Sequence, residues 1–181
     1  MPQPNYLQVC RFLNIYHLKN MEVYHENYAK QLSRLLHVVN DGKEGYKTAA
    51  EEVHSTELKE LFINKSDERA RIAEELKEKI REYGGHDNDE DGDHSGKLHR
   101  SFMAFKAAFT AKHKDDQAVL QSVRTGEEAA LGAFDDVLQG EILNTNLKPF
   151  ITGLRLQISE DFYFVDKMYF DRFNSSPELN S

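Results

Sequence analysis

Three acidic residues fall on the apolar faces of three different amphipathic segments. With residues placed at about 100° each around a helix, Glu68, Glu127 and Asp161 all point inward at a similar height. Tyr46, on a fourth segment, faces them. Carboxylates that converge from several helices are the usual ligands of iron and manganese in helical bundles. The pattern therefore raises the possibility of a metal site at the centre of a bundle.

Basic residues on the same faces offer a different use for these acids. Lys65 and Arg69 lie on the same side of their segment as Glu68, and Arg124 lies close to Glu127 in the chain. No inward histidine accompanies any of the acids. Because a buried carboxylate must be paired, hydrogen-bonded or metal-bound, pairing without metal is available here. We favour a network of salt bridges and hydrogen bonds, and keep metal binding as the alternative.

Two Glu-x-x-His pairs match the spacing of di-iron ligands but not the required direction. The pairs are Glu51 with His54 and Glu22 with His25, and both lie at the ends of their segment. Glu51 points away from the apolar stripe, as does Glu44. We therefore predict that Glu44, Glu51 and Glu128 are more exposed than the three inward acids.

An acidic stretch offers a second candidate metal site. Asp87, Asp89 and Asp91 alternate before Gly92, as in the first half of a calcium-binding loop. The position that needs a bidentate glutamate is Leu98, so the match is incomplete. The alternative is a disordered acidic linker. Nearby, His99 is expected to fix the preceding loop by a hydrogen bond, and Cys10 has no recognisable partner. We predict no catalytic residue.

The apolar spacing predicts four long helices. Ser55 or Thr56 is expected to cap the second helix, Gly84 and Gly85 to end it, and Asp115 or Asp116 to cap the continuation of the third after a kink or break. We expect an all-α, antiparallel up-down-up-down four-helix bundle. The predicted helices run from Glu22 to Val53, from the Ser55 cap to Tyr83, from Ser95 to Gly140, and from near Pro149 to Phe173. The predicted domain division is an N-terminal extension at 1–21, the bundle at 22–173 and a polar tail at 174–181.

Composition excludes several classes of protein. The chain has 181 residues and a formal net charge of −8, which argues against binding to nucleic acid. No apolar run approaches the roughly 20 residues needed to span a bilayer. A single cysteine excludes an internal disulfide and fits a reducing compartment. We expect a cytoplasmic protein that binds neither nucleic acid nor membranes.

Three segments carry a resemblance to a known family. They are residues 40–52 (NDGKEGYKTAAEE), 96–105 (GKLHRSFMAF) and 124–130 (RTGEEAA). The chain resembles, over roughly residues 33–173, a bacterial ferritin-like four-helix-bundle family of unknown function. The resemblance implies a ferritin-like fold and a non-catalytic homo-oligomer that acts through association, with a link to stress response. No cofactor is expected. The alternative is a redox or storage protein that binds iron or manganese.

Overall fold

The described part of the chain consists of helices joined by short segments. The computed structural model describes residues 6–86, 115–140 and 146–173, with side chains from residue 21 onward. Within these ranges there are four α-helices and no strand, which confirms the predicted all-α four-helix bundle. The helices are α1 (Tyr6–Glu52), α2 (Thr56–Glu82), α3 (Asp116–Gln139) and α4 (Leu147–Phe173). None of them contains an apolar stretch long enough to cross a membrane.

The helix ends follow the capping signals of the sequence. Ser55 accepts a hydrogen bond from the Leu58 amide at the start of α2, and Asp115 accepts one from the Ala118 amide at the start of α3. Gly84, with a φ of 74°, terminates α2 in the left-handed conformation that glycine adopts without strain.

Two helix boundaries differ from the prediction. Helix α1 begins at Tyr6 rather than Glu22, because the backbone continues as one helix of 47 residues. The predicted third helix from Ser95 to Gly140 corresponds, in its second half, to α3. Its first half lies outside the described residues.

Contacts at two levels of α1 fix the direction of α3. Near the C-terminal end of α1, the side chain of Asp116 accepts hydrogen bonds from the backbone amides of His54 and Ser55. Near the middle of α1, Arg34 Nη2 lies 3.3 Å from Asp136 Oδ2 at the end of α3. Helix α3 is therefore antiparallel to α1. It runs in the same direction as α2, which reverses from α1 through a short turn.

Helix α4 runs antiparallel to α2 and α3. Lys79, near the end of α2, lies over the ring of Phe150 near the start of α4, and Arg172 at the end of α4 pairs with Glu57 at the start of α2. The helix directions are thus up, down, down, up. The order of the four described helices differs from the predicted up-down-up-down order, because Asp115 begins a helix at the end of the bundle where α1 meets α2.

The core has two apolar halves. One half is formed by Tyr28 to Val39 of α1 with the C-terminal half of α2, the C-terminal half of α3 and the first part of α4. The other is formed around Tyr46, Phe62, Leu120 and Val165. Three buried charged residues, Arg69, Glu127 and Asp161, lie between the two halves. The bundle therefore carries a charged layer near its middle.

Candidate functional site

Arg69 is the centre of the charged layer. Only 1% of this residue is exposed, yet it carries a guanidinium group. Its Nη2 donates a hydrogen bond to Glu127 Oε2 of α3 and lies 3.1 Å from Asp161 Oδ2 of α4. One side chain of α2 therefore joins two other helices through buried ion pairs.

Lys65 extends the network towards solvent. Its Nζ lies 2.6 Å from Asp161 Oδ1 and 2.6 Å from Glu68 Oε2. Burial lowers the pKa of Lys65, but the hydrogen bonds that it donates to Asp161 and Glu68, together with their charges, outweigh this effect and raise the pKa overall. The Glu68 side chain is 38% exposed, so it forms the rim of the cluster rather than part of its interior.

Tyr46 of α1 closes the other side of the cluster. The Arg69 Cζ atom lies 5.8 Å from the centroid of the Tyr46 ring, which also packs against Phe62. The Tyr46 hydroxyl and Arg69 Nη1 are both buried, and neither has a hydrogen-bond partner among the described residues. Burial raises the pKa of Tyr46 well above its usual value, and the charge of Glu127 adds to this. The phenol therefore stays protonated at neutral pH.

The charge states of the buried pair follow from opposing effects. Burial raises the pKa of Glu127, although the neighbouring Arg69 opposes the shift. For Arg69, burial is the largest effect and lowers the pKa, but Glu127, Tyr46 and Asp161 together outweigh it and the pKa rises. A guanidinium keeps its proton in proteins, so the cluster always contains a fixed positive charge at its centre.

The structure brings together most of the inward residues predicted from the sequence. Glu127 and Asp161 are buried, and they meet at Arg69. Glu68 is only partly exposed, whereas Glu44, Glu51 and Glu128 are exposed, as expected. No group of three His, Cys, Asp or Glu side chains able to hold a metal ion occurs in the described part of the chain.

Arg124 does not belong to the cluster, contrary to expectation. Its Nε donates to Asp166 of α4, and its guanidinium lies over the rings of Phe162 and Phe170. Proximity to Glu127 in sequence was misleading because residues three apart on a helix can still diverge by about 60° around the axis. Arg124 instead joins α3 to α4 near the surface.

The histidines of the two Glu-x-x-His pairs contact other parts of the bundle. His54 is exposed, and its Nδ1 lies 3.5 Å from the Asp116 carboxylate that binds the α1–α2 turn. His25 packs edge-on against Tyr83, with ring centroids 5.4 Å apart. The residues Asp87, Asp89, Asp91 and His99 lie outside the described residues, as does the side chain of Cys10.

A second link between α3 and α4 lies nearer the other end of the bundle. Arg155 Nε donates to Asp135 Oδ1 at 2.5 Å, and its Nη2 donates to Oδ2 at 2.9 Å. These hydrogen bonds lower the pKa of Asp135 and raise that of Arg155. Sequence reasoning missed this pair because both residues lie off the apolar stripes.

Comparison with known proteins identifies a family but no activity. A family model described as "Domain of unknown function (DUF2383)" matches residues 27–140. This range contains Tyr46, Arg69 and Glu127 of the cluster, whereas Asp161 lies beyond it. No curated protein and no solved structure matches the chain. Since the model covers more than half of the sequence, the chain belongs to this family of unknown function, DUF2383.

Proposed function

We propose that this protein is a ferritin-like helical bundle without catalytic activity, and that it acts by associating with other protein surfaces. The observation that carries the proposal is the pairing of both buried carboxylates, Glu127 and Asp161, with Arg69 and Lys65. The cluster then serves to hold three helices together, and function falls to the surface. A role in bacterial stress response is part of the proposal and comes from the resemblance alone.

The helix directions support the ferritin-like part of the proposal. His86 and Asp115 lie at opposite ends of the bundle, since Gly85 lies against Ala29 of α1, whereas Asp116 contacts His54. Four-helix bundles with one long crossover connection are the ferritin-like type. The up-down-down-up order of the four described helices agrees with that arrangement.

Electrostatics favours a structural role for the cluster over metal binding. A metal ion coordinated by Glu127 and Asp161 would have to displace Arg69, which would strand its charge in the core. An unpaired buried charge costs several kcal/mol. The 1% exposure of Arg69 leaves it no route to solvent without repacking. The carboxylates are thus better satisfied by the cations already present.

The second candidate function is binding of iron or manganese for redox chemistry or storage. One observation favours it: acidic side chains from three helices belong to one cluster, and Glu68 at its rim is open to solvent. In that case Glu68, Glu127 and Asp161 would be the ligands. Lys65 and Arg69 would have to move away.

Metal analysis separates the two candidates. Protein purified without added metal is assayed for bound metal, stripped, and titrated calorimetrically with Fe(II), Mn(II) and Zn(II). We expect no tight, near-stoichiometric binding. The test variant is Glu68→Ala with Glu127→Gln, and the matched control is Glu44→Ala with Glu128→Gln, which changes exposed acids only.

The variants show which residues bind any metal that is found. Tight binding that is lost in the cluster variant but retained in the control would overturn the proposal and make this a metalloprotein. Binding lost only on deletion of residues 87–94 would assign the metal to the acidic stretch, and the bundle would remain a scaffold.

A further inference from the structure

The outer face of α4 carries a line of exposed apolar side chains. Leu156 is 56% exposed, Tyr163 is 66% exposed and Phe170 is 45% exposed. They are spaced seven residues apart, which places them in one row along a helix. The row spans two heptads on the side of α4 that faces away from the core.

This row is additional to the face that α4 already buries in the bundle. The inner face is formed by Leu147, Ile151, Leu154, Ile158, Asp161 and Val165, all buried. A surface helix of a globular protein usually has one apolar stripe and an opposite polar face. The outer row therefore gives α4 a second apolar face.

Charged residues flank the row in a defined order. Glu160 precedes Tyr163 by three positions and Lys167 follows it by four, and both are exposed. At about 100° per residue the two side chains lie on the same flank of the row. In the isolated chain, Lys167 pairs with Asp171 at the surface, where an ion pair contributes little and exchanges easily.

We propose that a second copy of this chain packs on this row, with α4 against α4 in antiparallel orientation about a two-fold axis at Tyr163. This inference rests on the proposed function, because it names the surface and the partner through which the bundle associates. Leu156 then lies opposite the partner's Phe170, and the two Tyr163 rings meet at the axis. Lys167 lies beside the partner's Glu160.

Self-complementarity is the reason for choosing a second copy. A two-fold axis at Tyr163, perpendicular to the antiparallel helices, places each residue before Tyr163 at the level of the partner's residue that lies equally far after it. Residues on one flank of the row stay on the same side of the interface in both copies. Glu160 and Lys167 therefore meet with opposite charges in two symmetric pairs. A parallel two-fold pair would place these residues of the two copies on opposite flanks, so it would form neither pair. The row thus matches its own inverted copy in both apolar contacts and charge.

The size of the row sets the expected strength of association. Three side chains of this size and exposure offer roughly 300 Å² per copy, judged from the area that aromatic side chains bury. Specific interfaces usually bury about 800 Å² per partner, so even with its charged flanks this one is small. The dimer should be reversible and dependent on concentration.

Sedimentation velocity over a range of concentrations tests the proposal with the full-length chain. Tyr163→Glu places two like charges at the axis and should weaken dimerisation by at least about tenfold, which corresponds to about 1.4 kcal/mol. The matched control is Ile63→Glu, which changes an exposed apolar residue of α2 outside the row. It should leave the dimer unchanged.

A charge-swap series tests the orientation. Glu160→Lys alone and Lys167→Glu alone should each weaken the dimer, because like charges then meet across the axis. The double variant should restore it. Circular dichroism establishes that each variant, with its change at an exposed position, keeps the bundle fold.

Two results would overturn the inference. One is a chain that stays monomeric at every concentration, and the other is a dimer that Tyr163→Glu and the single charge changes leave intact. Neither depends on metal content, so the inference can fail while the proposed non-catalytic role stands. Conversely, tight metal binding by the cluster would refute that role without altering the sedimentation results.

Discussion

Arg69 explains how a four-helix bundle accommodates two carboxylates in its core. Its long side chain reaches from α2 to Glu127 on α3 and Asp161 on α4. Neither acid would be stable there as an isolated charge, because burial strongly disfavours an unpaired carboxylate. Pairing offsets this cost only in part, so the network is sensitive to loss of any one member.

Truncating one carboxylate of the network should therefore destabilise the fold more than replacing it with a neutral side chain of the same shape. We predict that Glu127→Ala lowers the free energy of unfolding by roughly 3–5 kcal/mol, because Arg69 keeps its charge and loses its closest acceptor. Glu127→Gln should cost less, since the shape and a hydrogen-bond acceptor remain. Urea unfolding measures both variants, with exposed Glu128→Ala as the control near zero. Equal stability of all three variants and wild type would contradict a paired, buried Glu127.

The Tyr46 hydroxyl allows a second test at the same site. It is buried without a hydrogen-bond partner among the described residues, whereas the ring packs against Phe62 and Arg69. We predict that Tyr46→Phe retains wild-type stability or gains up to about 1 kcal/mol, because it removes an unsatisfied polar group and keeps the ring. Thermal and urea unfolding provide the measurement. A loss above about 1 kcal/mol would indicate that the hydroxyl bonds to Glu127 in solution.

At the level of the helices, two glycines differ in whether a neighbouring helix packs closely against them. A Cβ atom added to Gly85, just after α2, would lie 2.7 Å from Ala29 Cβ and 2.8 Å from Ile80 Cγ2. Gly132, in the interior of α3, would meet nothing within 4 Å. The first glycine is required by the approach of α1, and the second only weakens its helix.

We predict opposite effects for the same substitution at these two positions. Gly132→Ala should raise the free energy of unfolding by about 0.5–1 kcal/mol through helix propensity. Gly85→Ala should lower it by about 1–3 kcal/mol, because the methyl group would clash with Ile80 and with Ala29 Cβ, which can move only with the α1 backbone. Denaturant unfolding of the two variants checks both signs. A stabilising Gly85→Ala would show that the end of α2 lies further from α1.

At the scale of the whole molecule, α1 is much longer than the bundle to which it belongs. Its 47 residues correspond to about 70 Å, against about 40 Å for the 27 residues of α2. The end of α2 packs on α1 near Tyr28, where the rings of Tyr28 and Tyr83 lie 5.2 Å apart. The first part of α1 therefore extends past the end of α2.

This geometry motivates a prediction about the N-terminal segment. We predict that a chain beginning at Met21 keeps the helical bundle and loses less than about 1 kcal/mol of unfolding free energy, because the part of α1 before Tyr28 runs past the end of α2. Far-ultraviolet circular dichroism and urea unfolding of the shortened and full-length chains make the comparison. A loss of several kcal/mol would show that residues 1–20 contribute to the folded core, and would move the proposed domain boundary.

Local sequence patterns were enough to predict most of the helices and the inward direction of Glu127 and Asp161. Helical apolar spacing predicted the second and fourth helices closely, and Ser55, Asp115 and Gly84 marked ends that the structure confirms. The same spacing placed Glu127 and Asp161 inside, and both are buried. These properties are local, since a residue's position around a helix depends only on its place in the chain.

The helix directions, the pairing of charges and the shape of the surface depend on contacts between helices. The sequence near Arg124 does not indicate whether its partner is Asp166 or Glu127, because the choice depends on how α4 lies against α3. The direction of α3 likewise depends on where Asp116 meets the α1–α2 turn, a contact between residues more than sixty positions apart. Such contacts depend on which helices are neighbours, and local periodicity carries no information about that.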